Sequence, residues 1–250
     1  MLLIISPAKK MDFLSKISVH KMTECQYKSE TQSLLKIMQK KSIKDLMNMM
    51  SLSKALAELN YNRYQSFESC IERQALMAFS GDVYSNMSIS QYTPGDMDFA
   101  QKHLRILSGL YGILKPLDLI RAYRLEMGVK LDSSDVNDLY SFWKNKLTSE
   151  VQNLINQDDG TLINLASTEY SSVLDMNILS GKIIKMVFKN FNNGSYKIVG
   201  LLAKRARGMM VDFIIRNKLG SLNSLKEFSS GGYKFIPSES SDNELCFFAQ

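Results

Sequence analysis

The chain has 250 residues, with 45% hydrophobic and 22% charged positions. That balance is globular and excludes disordered, fibrous or collagen-like chains. Lys and Arg number 31 against 25 Asp and Glu, a formal charge of +6, so the chain favours anionic partners. Its three cysteines, Cys25, Cys70 and Cys246, are odd in number and far apart. They argue against a disulfide framework and against zinc, and fit a reducing compartment. The apolar opening Met1-Leu2-Leu3-Ile4-Ile5 ends at Ser6-Pro7, and Lys9 and Lys10 follow it, the reverse of a secretory signal. A cytoplasmic protein with no membrane contact is therefore expected.

In chain order, residues 2–6 read as a short buried strand stopped by Pro7. Helical spacing covers 30–41, 43–50 and 53–67, the last with Ser53 as N-cap. Residues 75–79 look like a strand ending in the turn Ser80-Gly81-Asp82. A helix is expected over 96–107 after Pro94-Gly95, then a glycine-punctuated stretch, Ser108 to Gly112. Residues 137–155 form the clearest helix, with Leu139, Phe142, Trp143, Leu147, Val151 and Leu154 near one face. A strand is expected at 161–165. Segments 183–188 and 196–202 flank Asn192-Asn193-Gly194, a strong hairpin signal. A basic helix follows at 203–219, then strands at 233–236 and 245–248. Scattered strands among helices predict a mixed α/β (α+β) fold, one domain over residues 1–250 with a covered sheet.

Charge is segregated. Residues 102–124 hold five basic residues and one acid, and residues 182–218 hold nine and one. Residues 132–159 are acidic, with six acids and two lysines. Solvation accounts for any single lysine, but two dense windows on one face would form a footprint for a polyanion.

Three constellations carry possible chemistry. In 105–128, Arg105, Lys115, Arg121 and Arg124 interleave with Tyr111 and Tyr123 around Gly109 and Gly112. The pattern resembles a helix-hairpin-helix, in which glycine lets the backbone approach a DNA phosphate. The glycine spacing is loose, and an ordinary helix-to-strand connection fits it too. Next, Lys204, Arg205 and Arg207 crowd the start of a helix, where cations oppose the macrodipole. A bound anion would reverse the sign; salt bridges to the acidic 132–159 segment are the alternative. Third, Ser6 and Lys9, Asp82 and Tyr84, and Asn164, Ser167, Glu169 and Tyr170 sit beside candidate strand ends, with Glu126 closing the arginine-rich stretch. Loops at the carboxyl ends of strands converge on a crevice. Helix capping is the plainer role for each residue alone. His20 and His103 are the only histidines and lack zinc-ligand spacing. No GxxxxGK[ST], GxGxxG or GxSxG motif is present.

The strings LLIISPAKKMD, FSGDVY (79–84), LRILSGLYGILKPLDLIRAYRLEMG (104–128), INLASTEY (163–170) and AKRARGMMVDFIIRN (203–217) together resemble the peroxide-stress protein YaaA family. The resemblance implies a cytosolic protein of the response to hydrogen peroxide, associated with limiting free iron and oxidative damage. It implies a mixed sheet wrapped by helices, likened to a cantaloupe, with a helix-hairpin-helix-like element whose hairpin is Gly109 and Gly112. It also implies a basic cleft that binds duplex or branched DNA with little sequence preference. The candidates for that cleft are Lys9, Arg105, Lys115, Arg121, Arg124, Lys204, Arg205 and Arg207. Lys10 is expected to be peripheral, because relatives often carry Thr or Ser after a single lysine.

The leading expectation is thus a DNA-binding stress protein, monomeric, without cofactor or metal. An alternative is an enzyme acting on a nucleobase, nucleotide or damaged DNA, glycosylase-like, through Lys9, Asp82, Tyr84, Glu126, Asn164, Ser167 and Glu169, with a small nucleobase-like ligand. A third class, direct iron binding, has few histidines and cysteines to draw on.

Overall fold

A computed structural model describes residues 1–15, 21–133 and 136–250. His20 lies outside the described residues.

The elements run in this order: β1 (Leu2–Ile5), α1 (Lys28–Gln39), α2 (Ile43–Met50), α3 (Lys54–Gln65), β2 (Glu72–Gln74), α4 (Ala75–Ala78), α5 (Pro94–His103), β3 (Leu104–Ser108), β4 (Gly112–Leu114), β5 (Leu119–Arg121), α6 (Leu139–Gln157), β6 (Thr161–Asn164), α7 (Thr168–Ser171), β7 (Lys182–Asn192), β8 (Ser195–Lys197), α8 (Gly200–Arg216), α9 (Leu222–Leu225), β9 (Lys234–Phe235) and β10 (Glu244–Ala249). One eight-stranded sheet has the order β4-β3-β1-β6-β7-β10-β9, with β8 paired to β7. The five strands β3, β1, β6, β7 and β10 are parallel, and β4, β8 and β9 are antiparallel additions. This is the mixed α/β single domain the sequence predicts.

Burial explains the middle of the sheet. All four residues of β1 are buried, as a parallel strand covered on both faces requires. Trp143 of α6 is fully buried and donates from Nε1 to the Gly109 carbonyl at 2.9 Å. Phe188, Phe228, Tyr233 and Phe247 pack as rings over β7 and β10. The expected hairpin forms, with Asn193 (φ 51°) and Gly194 (φ 82°) at its turn. Strand pairing ends at Lys197, and α8 begins at Gly200, three residues before the expected start.

Two assignments are corrected. Residues 75–78 are a helical turn, not a strand; all four are buried, and a short apolar run does not distinguish a strand from a buried helix turn. The helix expected over 96–107 stops at His103, and residues 104–108 become β3 beside β1. The Arg105 guanidinium closes that helix end, donating to the carbonyls of Gln101 (3.1 Å), Lys102 (3.3 Å) and Leu104 (2.8 Å).

The glycine pair is also reassigned. Gly109 and Gly112 connect β3 to β4 in a β-hairpin, not two helices. A Cβ on Gly109 would meet the Leu125 carbonyl oxygen at 2.3 Å, and one on Gly112 the Trp143 ring at 2.7 Å. Gly112 also adopts φ +74°, which favours glycine. Both glycines are buried, so their backbone faces protein rather than phosphate.

Candidate functional site

The strand order reverses direction between β1 and β6. From β1 the chain steps to β3 on one side, while β6, β7 and β10 build outward on the other. In open parallel sheets the crevice outside the carboxyl ends at such a point is the favoured ligand site. Here the loops after β1 (residues 6–10) and β6 (residues 165–170) open into a cavity of about 500 Å³. The turn at 80–85 and the face of α8 carrying Lys204 and Arg207 complete its walls.

Hydrogen bonds fix this frame. The Leu165 amide donates to the Ile4 carbonyl at 2.9 Å. Ser6 Oγ accepts from the Ser167 amide at 2.8 Å and donates to Ser167 Oγ at 3.2 Å. Tyr84 is buried, and its hydroxyl donates to the Ser6 carbonyl at 2.9 Å. Burial pushes the Tyr84 and Tyr170 phenols well above their ordinary pKa. The 80–85 turn is tied down by the Ser80 amide, which donates to the Lys10 carbonyl at 2.9 Å. Gly208 lets α8 approach, since a Cβ there would lie 2.0 Å from the Val83 carbonyl oxygen.

Charge in the cavity is unevenly satisfied. The Lys9 ammonium pairs with Glu126 Oε1 at 3.0 Å, and the Arg124 guanidinium reaches the same oxygen at 3.1 Å. Glu126 is buried, and its Oε2 has no hydrogen-bond partner. Glu169 Oε1 accepts from the Gly128 amide at 3.4 Å. No ion pair among the described residues holds Lys10, Lys204, Arg205, Arg207 or Asp82. Arg207 is the most telling. Its Nε is buried without a partner, and desolvation alone lowers its pKa, with no acid offsetting it. Its guanidinium borders both this cavity and a second one of about 590 Å³ that Asn164, Thr168 and Lys185 help to line. Arg207 is half-buried as a residue, and its buried, unpartnered Nε is costly unless an anion completes it.

The fold sorts the predicted residues. Lys9, Asp82, Ser167, Glu169, Lys204 and Arg207 line one cavity. Arg124 and Glu126 adjoin it through Lys9. Tyr84 supports it from beneath, and Asn164 faces the second cavity. Arg205 is exposed on α8 beside them. Three predicted cations are elsewhere. Arg105 is buried among carbonyls. Arg121 is paired with Glu68 (3.5 Å) and Glu72 (3.2 Å). Lys115 lies in the turn whose amide donates to Asp118 at 2.8 Å. The described acids of 132–159 make no ion pair with α8; Asp158 holds the amino group of Met1 (3.0 Å) and His103 (2.7 Å). Lys10, expected to be peripheral, lines the cavity, as do Ser80 and Ser85. Proximity to the end of β1 signals Lys10, whereas Ser80 and Ser85 follow the helical turn α4 and reach the cavity through a long-range contact, the Ser80 amide on the Lys10 carbonyl, that local sequence does not reveal.

Among the described residues, no group of three or more His, Cys, Asp and Glu is placed to hold a metal ion. No helix among them is long and apolar enough to cross a membrane.

The segments that build this cavity are the ones carrying the family resemblance. Residues 1–239 match the family described as "Peroxide stress protein YaaA". The chain belongs to that family. A relative, a UPF0246 protein of Acaryochloris marina (strain MBIC 11017), is 44% identical over 251 residues, covering 99% of each chain. Membership supports a general role in oxidative stress and the response to hydrogen peroxide.

Proposed function

We propose that the protein binds DNA along its sugar–phosphate backbone, through cations at the mouth of the β1/β6 cavity, as part of the peroxide-stress response. The observation that carries this reading is the convergence of two distant segments. Lys9 and Lys10 follow β1, Lys204 and Arg207 come from α8, and all four line one opening. Lys10, Lys204 and the adjacent Arg205 are exposed and hold no internal partner among the described residues. Cations kept free in this way attract phosphates without reading bases. The contact set is smaller than the sequence suggests, because Arg105, Lys115 and Arg121 lie elsewhere. The link to iron-driven damage is placed on the DNA side of this reading: a protein seated on the backbone acts where the damage occurs.

Binding of fluorescent duplexes of differing sequence, titrated against salt, tests the proposal. Backbone contact predicts similar affinity on all sequences and a log–log salt slope of roughly −0.9 per phosphate neutralised. Affinity independent of salt, or confined to one sequence, contradicts it.

A further inference from the structure

The cavity behind those cations has a chemistry that backbone binding does not use. One wall is cationic: Lys204 and Arg207 stand three residues apart on α8, on one helix face. Arg207 is the residue whose Nε is buried and unpartnered. Another wall offers acceptors. Asp82 is half-buried with no hydrogen bond or ion pair to its carboxylate among the described residues, and Glu169 is held through one oxygen only. Pro7, Leu165 and Tyr170 add apolar surface to the same lining. At about 500 Å³ the space falls in the range of small-molecule sites and is larger than one phosphate fills.

A ligand matching all three walls has a phosphate, a flat or apolar body, and hydrogen-bond donors that a carboxylate accepts. An inorganic anion would leave Asp82 unused and face it with repulsion. A neutral nucleoside would leave Arg207 unsatisfied. We infer that this cavity takes one nucleoside-monophosphate unit, its phosphate against Arg207 and Lys204 and its hydroxyl or amino donors toward Asp82 and Glu169. The unit comes either as a free mononucleotide or as a nucleotide extruded from DNA held at the rim. Only the second source rests on the backbone-binding proposal. Extrusion costs a few kcal/mol of unstacking, which the cavity contacts would offset.

Two measurements test the inference. Calorimetric titration with nucleoside 5′-monophosphates, the matching nucleosides and inorganic phosphate reads the cavity directly. Monophosphates are expected to bind more tightly than either fragment. Arg207→Gln should weaken them about tenfold, with Arg207→Lys recovering part of the loss. Asp82→Asn should weaken monophosphates but not inorganic phosphate. The Asp82 carboxylate makes no hydrogen bond or ion pair among the described residues, and the one bond of the residue, from Asn86 Nδ2 to its backbone carbonyl (2.8 Å), survives the substitution, so that variant keeps the test valid if Arg207→Gln does not fold. Duplex DNA carrying 2-aminopurine distinguishes the sources. A fluorescence rise on binding, lost in Arg207→Gln, identifies an extruded nucleotide. Monophosphate binding without that rise identifies a free one. Inorganic phosphate binding as tightly as monophosphates, with Asp82→Asn silent, overturns the inference. So does the absence of both monophosphate binding and a fluorescence change. Salt-sensitive DNA binding that persists in those cases leaves the backbone proposal standing. Monophosphate binding by a protein that ignores DNA sinks the backbone proposal alone.

Discussion

Segment 102–124 and the first half of α8 are both cation-rich, and the fold uses them in opposite ways. In the first, Arg105 closes the end of α5 and Arg121 neutralises Glu68 and Glu72 across the β2–β5 pair. In the second, Lys204, Arg205 and Arg207 hold no acid among the described residues and stand at an open cavity. The first region spends charge on folding; the second keeps it for a ligand. Charge density along a sequence is therefore not a map of potential, because partners 50 residues away decide which cations remain available.

The largest way to break this contrast is to move α8. Gly208→Ala puts a Cβ 2.0 Å from the Val83 carbonyl oxygen, a backbone atom rather than the end of a flexible side chain, so α8 or the 80–85 turn must shift. The expected loss is about 3 kcal/mol, read by chemical denaturation, together with weakened DNA binding. Unchanged stability would mean that α8 does not press on the cavity wall.

Arg105→Ala comes next, at about 2 kcal/mol, because it strands the carbonyls of Gln101, Lys102 and Leu104, followed by Glu126→Gln at about 1 kcal/mol, because the exposed Lys9 and the partly buried Arg124 lose a charged partner. Their DNA phenotypes should differ. Arg105→Ala leaves the affinity of the folded fraction unchanged. Glu126→Gln raises it, since Lys9 and Arg124 lose their carboxylate. A fall in affinity with Glu126→Gln would place Glu126 among the ligand contacts instead.

The smallest expected effect concerns the thiols. Burial, reinforced by the Asp118 carboxylate, pushes Cys25 up to about 12, and burial with Glu244 pushes Cys246 up to about 11. Both remain protonated until the pH rises toward those values, and the thiol form reacts slowly with peroxide. Alkylation of the native protein at neutral pH should spare both, with labelling increasing only in strong alkali. Fast labelling of either at neutral pH would point to direct peroxide chemistry and away from the cavity.

Much of this architecture was legible in the sequence, for local reasons. β1 announces itself by an apolar run ended by proline, α6 by its period, and the β7–β8 turn by Asn193-Gly194. The α5–β3 boundary was hidden, because helix 94–103 and strand 104–108 join without a breaker and only pairing with β1 decides. The glycine pair misled for a similar reason: Leu125 and Trp143, which require glycine there, are 16 and 31 residues further on. At the site, Lys9, Ser167 and Glu169 were readable as residues following β1 and β6, whereas Asp82 was expected after a strand at 75–79 that is the helical turn α4. Lys10 was discounted on family habit, yet its place beside β1 brings it to the same opening.

The most direct test sets the two regions against each other in one assay. DNA affinity at fixed low salt is compared for the wild type, Lys204→Ala/Arg205→Ala and Lys115→Ala/Arg121→Ala. The account predicts that the α8 pair loses affinity on every sequence and lowers the salt slope by about two, while the other pair retains both. Equal losses in the two variants, or a loss confined to Lys115→Ala/Arg121→Ala, would contradict it.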